Sequence, residues 1–375
     1  MKVRSVQHEM LPETSVDDRS RQAAVVSLRR LLNTQVRPRN VELYEREGRP
    51  AWERRHGRPP ESVDEVRAAF FESRRYRLWS AMHRAAQEMI WISAGEPVFR
   101  DIERLEATAE KLAQAPGRRG GLELAPGGYR PPGEVADVDI HLQPGGYALT
   151  RGPRDVSCGA LYENGGNVFA FGQGLGKGDS KAGAVIRHLE ATRPGLQPRR
   201  ILDLGCSAGG AACHYAAYYP EAEVHAVDIG EGMLRYAHAR AESLGVRVFF
   251  HQMNAAELRF GDGEFDLVVS HNLLHEIGRD NRRAMMREAF RVCEAGGLVV
   301  HQDVPTRFEP TLVRQVERAW DTRFNGEAHW STYSGDDLLA DMRAAGFPPE
   351  SIEETRLEKV AGPGGWYLVL GHKPA

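Results

Sequence analysis

Histidine and carboxylate side chains stand close together in two short stretches of the second half of the sequence. Residues 270–277, Ser-His-Asn-Leu-Leu-His-Glu-Ile, contain His271, His275 and Glu276, and a second stretch contains His301 and Asp303. Imidazole has an unperturbed pKa of about 6.5, so it is largely neutral at pH 7 and able to accept the proton of a hydroxyl or phenol. These residue types therefore indicate proton-transfer chemistry, with metal binding as an alternative.

We predict no metal site from these residues. His271 and His275 are four residues apart, and further potential ligands follow at Glu276, His301 and Asp303. The context differs, however, from the helical His-Glu-x-x-His arrangement of zinc enzymes, in which both histidines share one helix face.

A glycine turn follows an apolar strand at residues 201–210, Ile-Leu-Asp-Leu-Gly-Cys-Ser-Ala-Gly-Gly. Glycine lacks Cβ, so a ligand can lie against the backbone, and the start of the following helix offers free N–H donors. The spacing Gly-x-x-x-Gly-Gly differs from the Gly-x-Gly-x-x-Gly of dinucleotide-binding proteins. Asp228 ends the next strand, 23 residues after Gly205, and its carboxylate can accept both ribose hydroxyls or cap the next helix. The glycine turn and Asp228 together indicate a nucleotide-like ligand, with a purely structural turn as the alternative.

Residues 201–303 resemble the core of class I S-adenosylmethionine-dependent methyltransferases. The second motif carries the acidic residue Asp228, and the third, Gln-Met-Asn-Ala-Ala-Glu, carries Asn254 where aspartate is commoner in the family. The five motifs follow one another in the family's order at residues 201–210, 224–229, 252–257, 265–270 and 295–298.

This resemblance implies S-adenosylmethionine as the cofactor. Asp203 and Gly205 would hold its methionine end, and Asp228 would hold the ribose. Three residues, Met233, Asn254 and Ala255, would contact the adenine. The full set of expected cofactor contacts is Asp203, Gly205, Cys206, Ser207, Gly209, Asp228, Ile229, Met233, Asn254, Ala255, Ser270 and His271.

The family's sheet order also implies that the ends of the fourth and fifth strands are neighbours facing the methyl group. We therefore expect His275, Glu276 and His301 to form the catalytic group. Residues 274–280, Leu-His-Glu-Ile-Gly-Arg-Asp, resemble a stretch of small-molecule O-methyltransferases in which the histidine is the general base, and His275 matches it. Two alternatives stay open for His275, a contact to substrate or cofactor and a structural role.

Aromatic residues after the fifth strand predict an acceptor pocket in an insertion near residues 305–334. Trp330 and Tyr333 are expected to stack on a planar substrate. The alternative is a helix at 311–323 and a loop that pack on the core. Asp303 and Phe171 complete the predicted substrate contacts. Phe171 lies in a glycine-dense stretch that is either a lid over the site or a flexible connector.

The elements that must position these residues alternate between strand and helix from residue 182 onward. Such a pattern predicts an α/β fold with a mostly parallel sheet covered on both faces, and ligands beyond the carboxyl ends of its strands. With the resemblance, it predicts a Rossmann-like, doubly wound sheet of seven strands. The strands read from the sequence are 201–204, 223–228, 246–251, 265–271, 298–303 and 366–371, and the clearest helices are 208–219, 231–244 and 280–294.

Three regions are predicted along the chain. Residues 1–125 form a mainly helical N-terminal region, with helices near 16–34, 62–91 and 97–114, that caps the acceptor pocket, forms a dimer face, or both. Residues 126–181 form a glycine- and proline-rich connector with a hairpin around residues 144–146. Residues 182–375 form the cofactor-binding core.

Composition predicts a cytoplasmic protein that binds neither nucleic acid nor membrane. Of the 375 residues, 41% are hydrophobic and 27% charged, and the formal net charge of -3 provides no general attraction to phosphates or anionic lipid. The N-terminus lacks an apolar leader region, and no stretch approaches the ~18 apolar residues of a membrane span. The four cysteines, Cys158, Cys206, Cys213 and Cys293, contain no Cys-x-x-Cys pair, so neither disulfides nor a zinc knuckle is indicated.

The sequence therefore predicts a methyltransferase acting on a small-molecule acceptor, with O-methylation leading and C- or N-methylation as alternatives. A tRNA or protein methyltransferase is less favoured. The fourth strand ends in Ser-His-Asn-Leu, not in the Asp/Asn-Pro-Pro-aromatic signature of enzymes that methylate a flipped base, and there is no Pro-Cys nucleophile. A non-catalytic S-adenosylmethionine-binding protein and a nicotinamide oxidoreductase are the remaining alternatives.

Overall fold

The described strands form one mostly parallel sheet. The structure is a computed structural model that describes residues 7–127, 129–169, 181–305, 311–358 and 365–375, and for Arg318 it describes the backbone only. Its strands are β1 (Gly121–Glu123), β2 (Arg200–Leu204), β3 (Glu223–Asp228), β4 (Val248–Gln252), β5 (Phe265–His271), β6 (Cys293–Asp303), β7 (Ile352–Glu358) and β8 (Gly365–His372). They lie in the order β1-β4-β3-β2-β5-β6-β8-β7. Only the β6–β8 and β7–β8 pairs are antiparallel.

The helices alternate with the strands in the second half and dominate the first. They are α1 (Val16–Leu31), α2 (Asn40–Leu43), α3 (Arg49–His56), α4 (Val63–Glu72), α5 (Arg74–Arg100), α6 (Ile102–Ala113), α7 (Gly133–Ala136), α8 (Ser157–Phe169), α9 (Lys181–Thr192), α10 (Gly210–Tyr218), α11 (Glu231–Leu244), α12 (Arg279–Val292), α13 (Leu312–Arg318), α14 (Trp320–Phe324), α15 (Trp330–Gly335) and α16 (Leu338–Ala345). Two π-helical segments, Leu32–Val36 and Tyr44–Gly48, and a 3-10 turn at Ile140–Leu142 complete the elements used below.

The predicted α/β, Rossmann-like fold with a helical N-terminal region is confirmed, but the sheet has eight strands instead of seven. The additional edge strand, β1, lies in the region predicted to be helical and pairs in parallel with β4. Its three residues are too few to show an alternation pattern. β7 was also not read from the sequence, because its residues Ile-Glu-Glu-Thr-Arg-Leu-Glu are mostly polar, as an edge strand allows.

The predicted hairpin around residues 144–146 is wrong. This stretch contains the 3-10 turn Ile140–Leu142 and no strand. His141, Leu142, Gly145 and Gly146 all have positive φ angles, between 54° and 80°, which reverse the chain repeatedly and prevent an extended pairing.

The central strands are apolar on both sides because helices cover both faces. Successive residues of β2 show this: Ile201 packs with α9, α10 and α11, whereas Leu202 and Leu204 pack with α12 and α16 on the other face. The sites for ligands are therefore restricted to the edge formed by the carboxyl ends of the strands.

The N-terminal helices pack against the segment that follows β6. Trp320 of α14 lies against Trp79 of α5, with ring centroids 5.7 Å apart, and its indole N–H donates to Ser80 Oγ at 2.8 Å. Along the described residues, no helix is both long enough and apolar enough to span a lipid bilayer.

Candidate functional site

The loop between β2 and α10 turns through three residues in the left-handed region. Gly205, Ser207 and Gly209 have φ angles of +67°, +49° and +73°. The conformation at position 205 favours glycine, and a Cβ there would lie 2.8 Å from Leu273 Cδ1, so the leucine side chain would also have to shift. The turn directs backbone N–H groups toward the end of β3.

Asp228 holds this loop together. Its carboxylate accepts hydrogen bonds from the backbone N–H groups of Ser207 and Gly230, both at 2.9 Å. Burial raises the pKa of Asp228, and these N–H donors oppose that rise. Each carboxylate oxygen has lone pairs beyond the backbone bond it already accepts, so Asp228 retains acceptor capacity for two ligand hydroxyls.

Asp203 is the next-to-last residue of β2 and carries a buried carboxyl group that no side chain of the described residues pairs with. The backbone N–H of Ala212 lies near this carboxyl group, and the residue is 1% exposed. Burial and the nearby charge of Asp228 raise the pKa of Asp203 to about 8. A positively charged ligand group, such as the α-ammonium of a bound amino acid, would match this unpaired carboxyl.

An open cavity of about 850 Å³ begins at this loop and extends past the carboxyl ends of β3, β4 and β5. Of the residues predicted from the sequence, eight line it: Gly205, Ser207, Asp228, Ile229, Asn254, Ala255, His271 and Glu276. Met253, Tyr147, His141, Glu134 and Lys181 also line it and were not predicted as site residues.

Asn254 differs in detail from its expected adenine contact. Its side-chain carbonyl accepts the backbone N–H of Ala256 at 3.0 Å, so it caps the turn after β4. One lone pair of that oxygen and the amide N–H₂ group remain for a ligand.

Several predicted cofactor contacts lie behind the cavity wall. Met233 is fully buried between α11 and the N-terminal region, and Cys206 is buried in the core below the loop. Gly209 immediately precedes α10, and a Cβ there would lie 3.1 Å from Ala237 Cβ. Ser270 is fully buried and makes a 2.8 Å hydrogen bond with His301 Nδ1. These residues support the loop and the strands whose other residues line the cavity.

At the far end of the cavity, Glu276 meets two histidines and a tyrosine. Its Oε1 lies 3.2 Å from His141 Nε2 and 3.4 Å from His275 Nε2, and it accepts a hydrogen bond from Tyr147 OH at 3.3 Å. Burial opposes ionisation of Glu276, but the two imidazolium groups outweigh burial and lower its pKa. Glu327 lies behind them, with Oε1 2.6 Å from His141 Nδ1.

His275 is held between carboxylates and does not line the cavity. Its Nδ1 lies 2.5 Å from Asp303 Oδ1, and the residue is only 2% exposed. Burial alone would lower the pKa of His275, but Asp303 and Glu276 raise it to about 10. In this arrangement the ring favours its protonated form, and the general-base role of His275 stays a prediction.

His301 and Asp303, near the carboxyl end of β6, do not line the cavity either. His301 is fully buried, and burial lowers its pKa to about 4, so it is neutral. Asp303 is fully buried and accepts the backbone N–H of Leu274 at 2.8 Å in addition to contacting His275. Asp303 therefore positions the 274–276 turn and is not placed to touch a substrate.

The predicted aromatic substrate contacts lie elsewhere. Tyr333 is fully buried and its hydroxyl donates to the carbonyl of Val304 at 2.7 Å. Trp330 packs edge-on against the ring of His275, with centroids 4.8 Å apart. Neither lines the cavity. Phe171 lies outside the described residues, and the glycine stretch before it, up to Phe169, belongs to α8.

Two residues of the cluster, His141 and Glu327, were missed by sequence reasoning. His141 has a φ of +54°, a left-handed conformation that is uncommon for residues other than glycine, although histidine adopts it more often than most. Its carbonyl accepts hydrogen bonds from Gln87 Nε2 at 2.9 Å and Trp91 Nε1 at 2.6 Å, both on α5. The N-terminal helices thus hold His141 in the site.

Gly326 allows the turn of Glu327 to approach the turn of His141. Its φ is +72°, and a Cβ there would lie 2.3 Å from the carbonyl oxygen of Asp139. We expect Gly326→Ala to lower the free energy of unfolding by about 2–3 kcal/mol, since left-handed strain and a backbone clash add. Urea denaturation of the purified protein measures this.

Two alanine variants serve as controls for Gly326→Ala. Gly335→Ala has open space and no positive φ, and should change stability by less than about 0.5 kcal/mol. Gly57→Ala has a φ of +71° but open space, so it isolates the strain of the left-handed conformation, about 1 kcal/mol. Equal effects of Gly326→Ala and Gly57→Ala would contradict the close approach at Asp139.

Comparison with known proteins finds similarity in the part of the chain that runs from β2 into β6. Residues 201–297 match a family described as "Methyltransferase domain". The chain is 30% identical over 132 residues to ajmaline N-methyltransferase of Rauvolfia serpentina, covering 33% of this chain and 44% of that protein. It is 32% identical over 158 residues to 27-O-demethylrifamycin SV methyltransferase of Amycolatopsis mediterranei, covering 41% and 56%. The chain thus spans about half the length of these relatives.

Solved structures with a similar arrangement include phosphoethanolamine N-methyltransferase 2 of Haemonchus contortus in complex with S-adenosyl-L-methionine. The TM-score is 0.40 at 16% identity, and the match covers 51% of this chain and 52% of that chain. A methyltransferase structure from Bacillus halodurans matches with a TM-score of 0.40 and 20% identity over 51% of this chain and 99% of that one.

Proposed function

We propose that residues 201–297 form a class I S-adenosylmethionine-dependent methyltransferase domain. On this premise, we propose that the whole protein transfers a methyl group to a hydroxyl of a small-molecule acceptor. One observation carries the proposal. A single cavity joins a nucleoside-type cradle, Gly205, Ser207 and Asp228, to an ionised group, Glu276, that can orient a hydroxyl. Two relatives, ajmaline N-methyltransferase and 27-O-demethylrifamycin SV methyltransferase, are named for small molecules, which supports an acceptor of this class.

The residues of the cradle fit S-adenosylmethionine. Asp228 has acceptors for the ribose hydroxyls, and the unpaired, buried Asp203 suits the α-ammonium of the methionine end. Ala255, Met253 and Ile229 offer apolar surface for the adenine. When bound, S-adenosylmethionine supplies a methyl group on a cationic sulfur, so the protein has to align the acceptor and remove one proton.

Glu276 replaces His275 in our proposal as the group that touches the acceptor. Its Oε2 is buried and has no hydrogen-bond partner among the described residues, so it can accept the acceptor's O–H. A carboxylate of lowered pKa is a weak base toward a free hydroxyl. The acceptor oxygen becomes much more acidic as it gains the methyl group, however, so its proton can pass to Oε2 late in the transfer. His275 and Asp303 hold Glu276 in place.

A panel of acceptors tests this reaction. Phenols and aliphatic alcohols are incubated with the full chain and S-adenosylmethionine, alongside amines of matched size, and S-adenosylhomocysteine is measured. We expect turnover with at least one hydroxyl compound and none with the matched amine. Turnover restricted to amines, to tRNA or to protein would overturn the assignment, as would tight cofactor binding without turnover on any acceptor.

The N-terminal helices are proposed to cap the acceptor end. Gln87 and Trp91 of α5 hold the carbonyl of His141, which itself lines the cavity. This contact supports the predicted division into residues 1–125, 126–181 and 182–375, in which the first region completes a pocket built by the third.

We also propose that α5 forms a face for a second copy of the chain. Leu78, Met82, Met89 and Ile92 are 39–63% exposed and fall within one side of the helix at spacings of four, seven and three residues. In size-exclusion chromatography with light-scattering detection, the wild type should elute as a dimer and the double variant Leu78→Glu/Ile92→Glu as a monomer. The control Val16→Glu, exposed but on α1, should remain dimeric, and a monomeric wild type would rule out this interface.

A further inference from the structure

Four potential metal ligands converge at the acceptor end of the cavity. His141, His275, Glu276 and Glu327 each offer one ligand atom, and these atoms all lie within 4.8 Å of one another. They come from three separate parts of the chain: the 3-10 turn Ile140–Leu142, the turn after β5, and the segment between α14 and α15. Three of the four residues are buried.

Two carboxylate oxygens in this cluster have no hydrogen-bond partner among the described residues. Glu276 Oε2 and Glu327 Oε2 are both buried, and Glu327 as a whole is 1% exposed. The nearest cationic atom to Glu327 Oε2 is His275 Nε2 at 3.8 Å, beyond hydrogen-bond range. A metal ion would displace the protons of His141 and His275, because a ligating imidazole is neutral, and the ion would then supply the positive charge that these buried carboxylates need. The cluster therefore fits a cation placed among these four side chains.

The orientation of His275 matches that of a metal ligand. Asp303 takes its Nδ1 at 2.5 Å, which leaves Nε2 directed at the two glutamates. A carboxylate bonded to the outer nitrogen of a histidine is the usual partner that fixes the ring and tautomer of a metal-bound imidazole. Asp303 is fully buried and fixed by Leu274 N–H as well, so this partner is itself rigid.

The backbone around the other two ligands, His141 and Glu327, is also fixed by neighbouring segments. His141 sits in a left-handed conformation, and two donors from α5 bind its carbonyl. Glu327 follows Gly326, whose missing side chain lets the two turns touch. Such strain at a residue that bears a functional side chain is typical of a site and not of a simple surface turn.

We propose that His141, His275, Glu276 and Glu327 bind one divalent first-row transition-metal ion. Two imidazoles and two carboxylates suit Zn²⁺, Mn²⁺ or Fe²⁺, whereas Mg²⁺ and Ca²⁺ favour oxygen ligands throughout. His141 and Glu276 also line the cavity, so the ion would face the acceptor. Its role there, as a ligand for the acceptor oxygen, rests on the proposed function. Binding of the ion itself does not.

Metal binding is measured on the full chain, with any affinity tag removed and without cofactor or acceptor. After dialysis against a chelator, the protein is titrated with Zn²⁺ and with Mn²⁺ by calorimetry, and its metal content is measured by mass spectrometry. We expect one ion per chain. His141→Asn and Glu327→Gln should each weaken binding by about 100-fold or more, because each removes a ligand.

Two control variants carry the same substitutions outside the cluster. His251→Asn lies in another histidine pair, 3.0 Å from His225, and Glu123→Gln removes the carboxylate 3.1 Å from His251. Both should bind the metal as the wild type does. Wild type that binds neither ion below about 100 μM, or unchanged binding in His141→Asn, would overturn the proposal.

A measurement on the wild type tests the metal site even if the variants fail to fold. Co²⁺ bound to this nitrogen and oxygen ligand set should give visible absorption bands without the intense thiolate charge-transfer band, since none of the four ligands is cysteine. Absence of these bands at saturating Co²⁺ contradicts the site whatever the variants do. If S-adenosylmethionine still binds and acceptors are still methylated, the metal proposal fails alone and the proposed function stands.

Discussion

Replacing Asp228 by asparagine is expected to weaken binding of S-adenosylmethionine by about 100-fold or more. The carboxylate accepts two backbone N–H groups at 2.9 Å and has acceptors left for the ribose. Asparagine has one carbonyl oxygen, and its N–H₂ group would oppose one of the two loop donors. Hydrogen bonds to charged groups contribute about 1.5–3 kcal/mol each, and about 2.7 kcal/mol corresponds to 100-fold. Calorimetric titration measures the loss.

The matched control is Asp262→Asn, which removes a carboxylate that pairs with Arg291 at 2.8 Å and whose side chain is 81% exposed. Its cofactor affinity should equal that of the wild type. A titration of the wild type with NAD in place of S-adenosylmethionine should give no heat of binding. Unchanged affinity in Asp228→Asn would place the cofactor somewhere other than the β2–β3 cradle.

Glu276→Gln is expected to reduce kcat by about 100-fold or more while leaving cofactor affinity within twofold of the wild type. The neutral amide keeps the size of the side chain but cannot take the acceptor's proton, and general-base groups typically contribute 10²–10⁴-fold. Glu276 lies at the acceptor end of the cavity, away from Asp228, so cofactor binding is the internal control. Single-turnover measurement with the best acceptor from the panel gives the rate.

Glu294→Gln provides the comparison for Glu276→Gln, because Glu294 pairs with Arg199 at the opposite ends of the strands. It should leave kcat unchanged. Equal rates in Glu276→Gln and the wild type would remove Glu276 from the reaction and leave the cavity without an assigned proton acceptor.

The sequence was most informative where function depends on local pattern. The glycine turn and Asp228 lie within 26 residues of one another on consecutive strands, and strand and helix periodicity located both. α11 begins and ends where the pattern predicts, at Glu231 and Leu244, because Gly245 at φ +66° ends it. Such features need no knowledge of distant parts of the chain.

The acceptor end of the site was less predictable because it is assembled from distant segments. His141 lies 135 residues before Glu276 and Glu327 lies 51 residues after it, and the turns that carry them have no periodic pattern. The glycine before Glu327 is a weak local signal, and the positive φ of His141 is visible only in the structure. His275 matched a pattern in the sequence, but the contacts of Asp303 and Glu276, which change its protonation, are visible only in three dimensions.

The most direct test of the account is a crystal structure of the full chain with S-adenosylhomocysteine. We predict that the ribose hydroxyls bind Asp228 and that the α-ammonium group lies at Asp203. The sulfur should face the part of the cavity lined by Glu276 and His141. A ligand bound outside this cavity, or a sulfur facing away from Glu276, would contradict the central claim that one cavity joins the methyl donor to its acceptor.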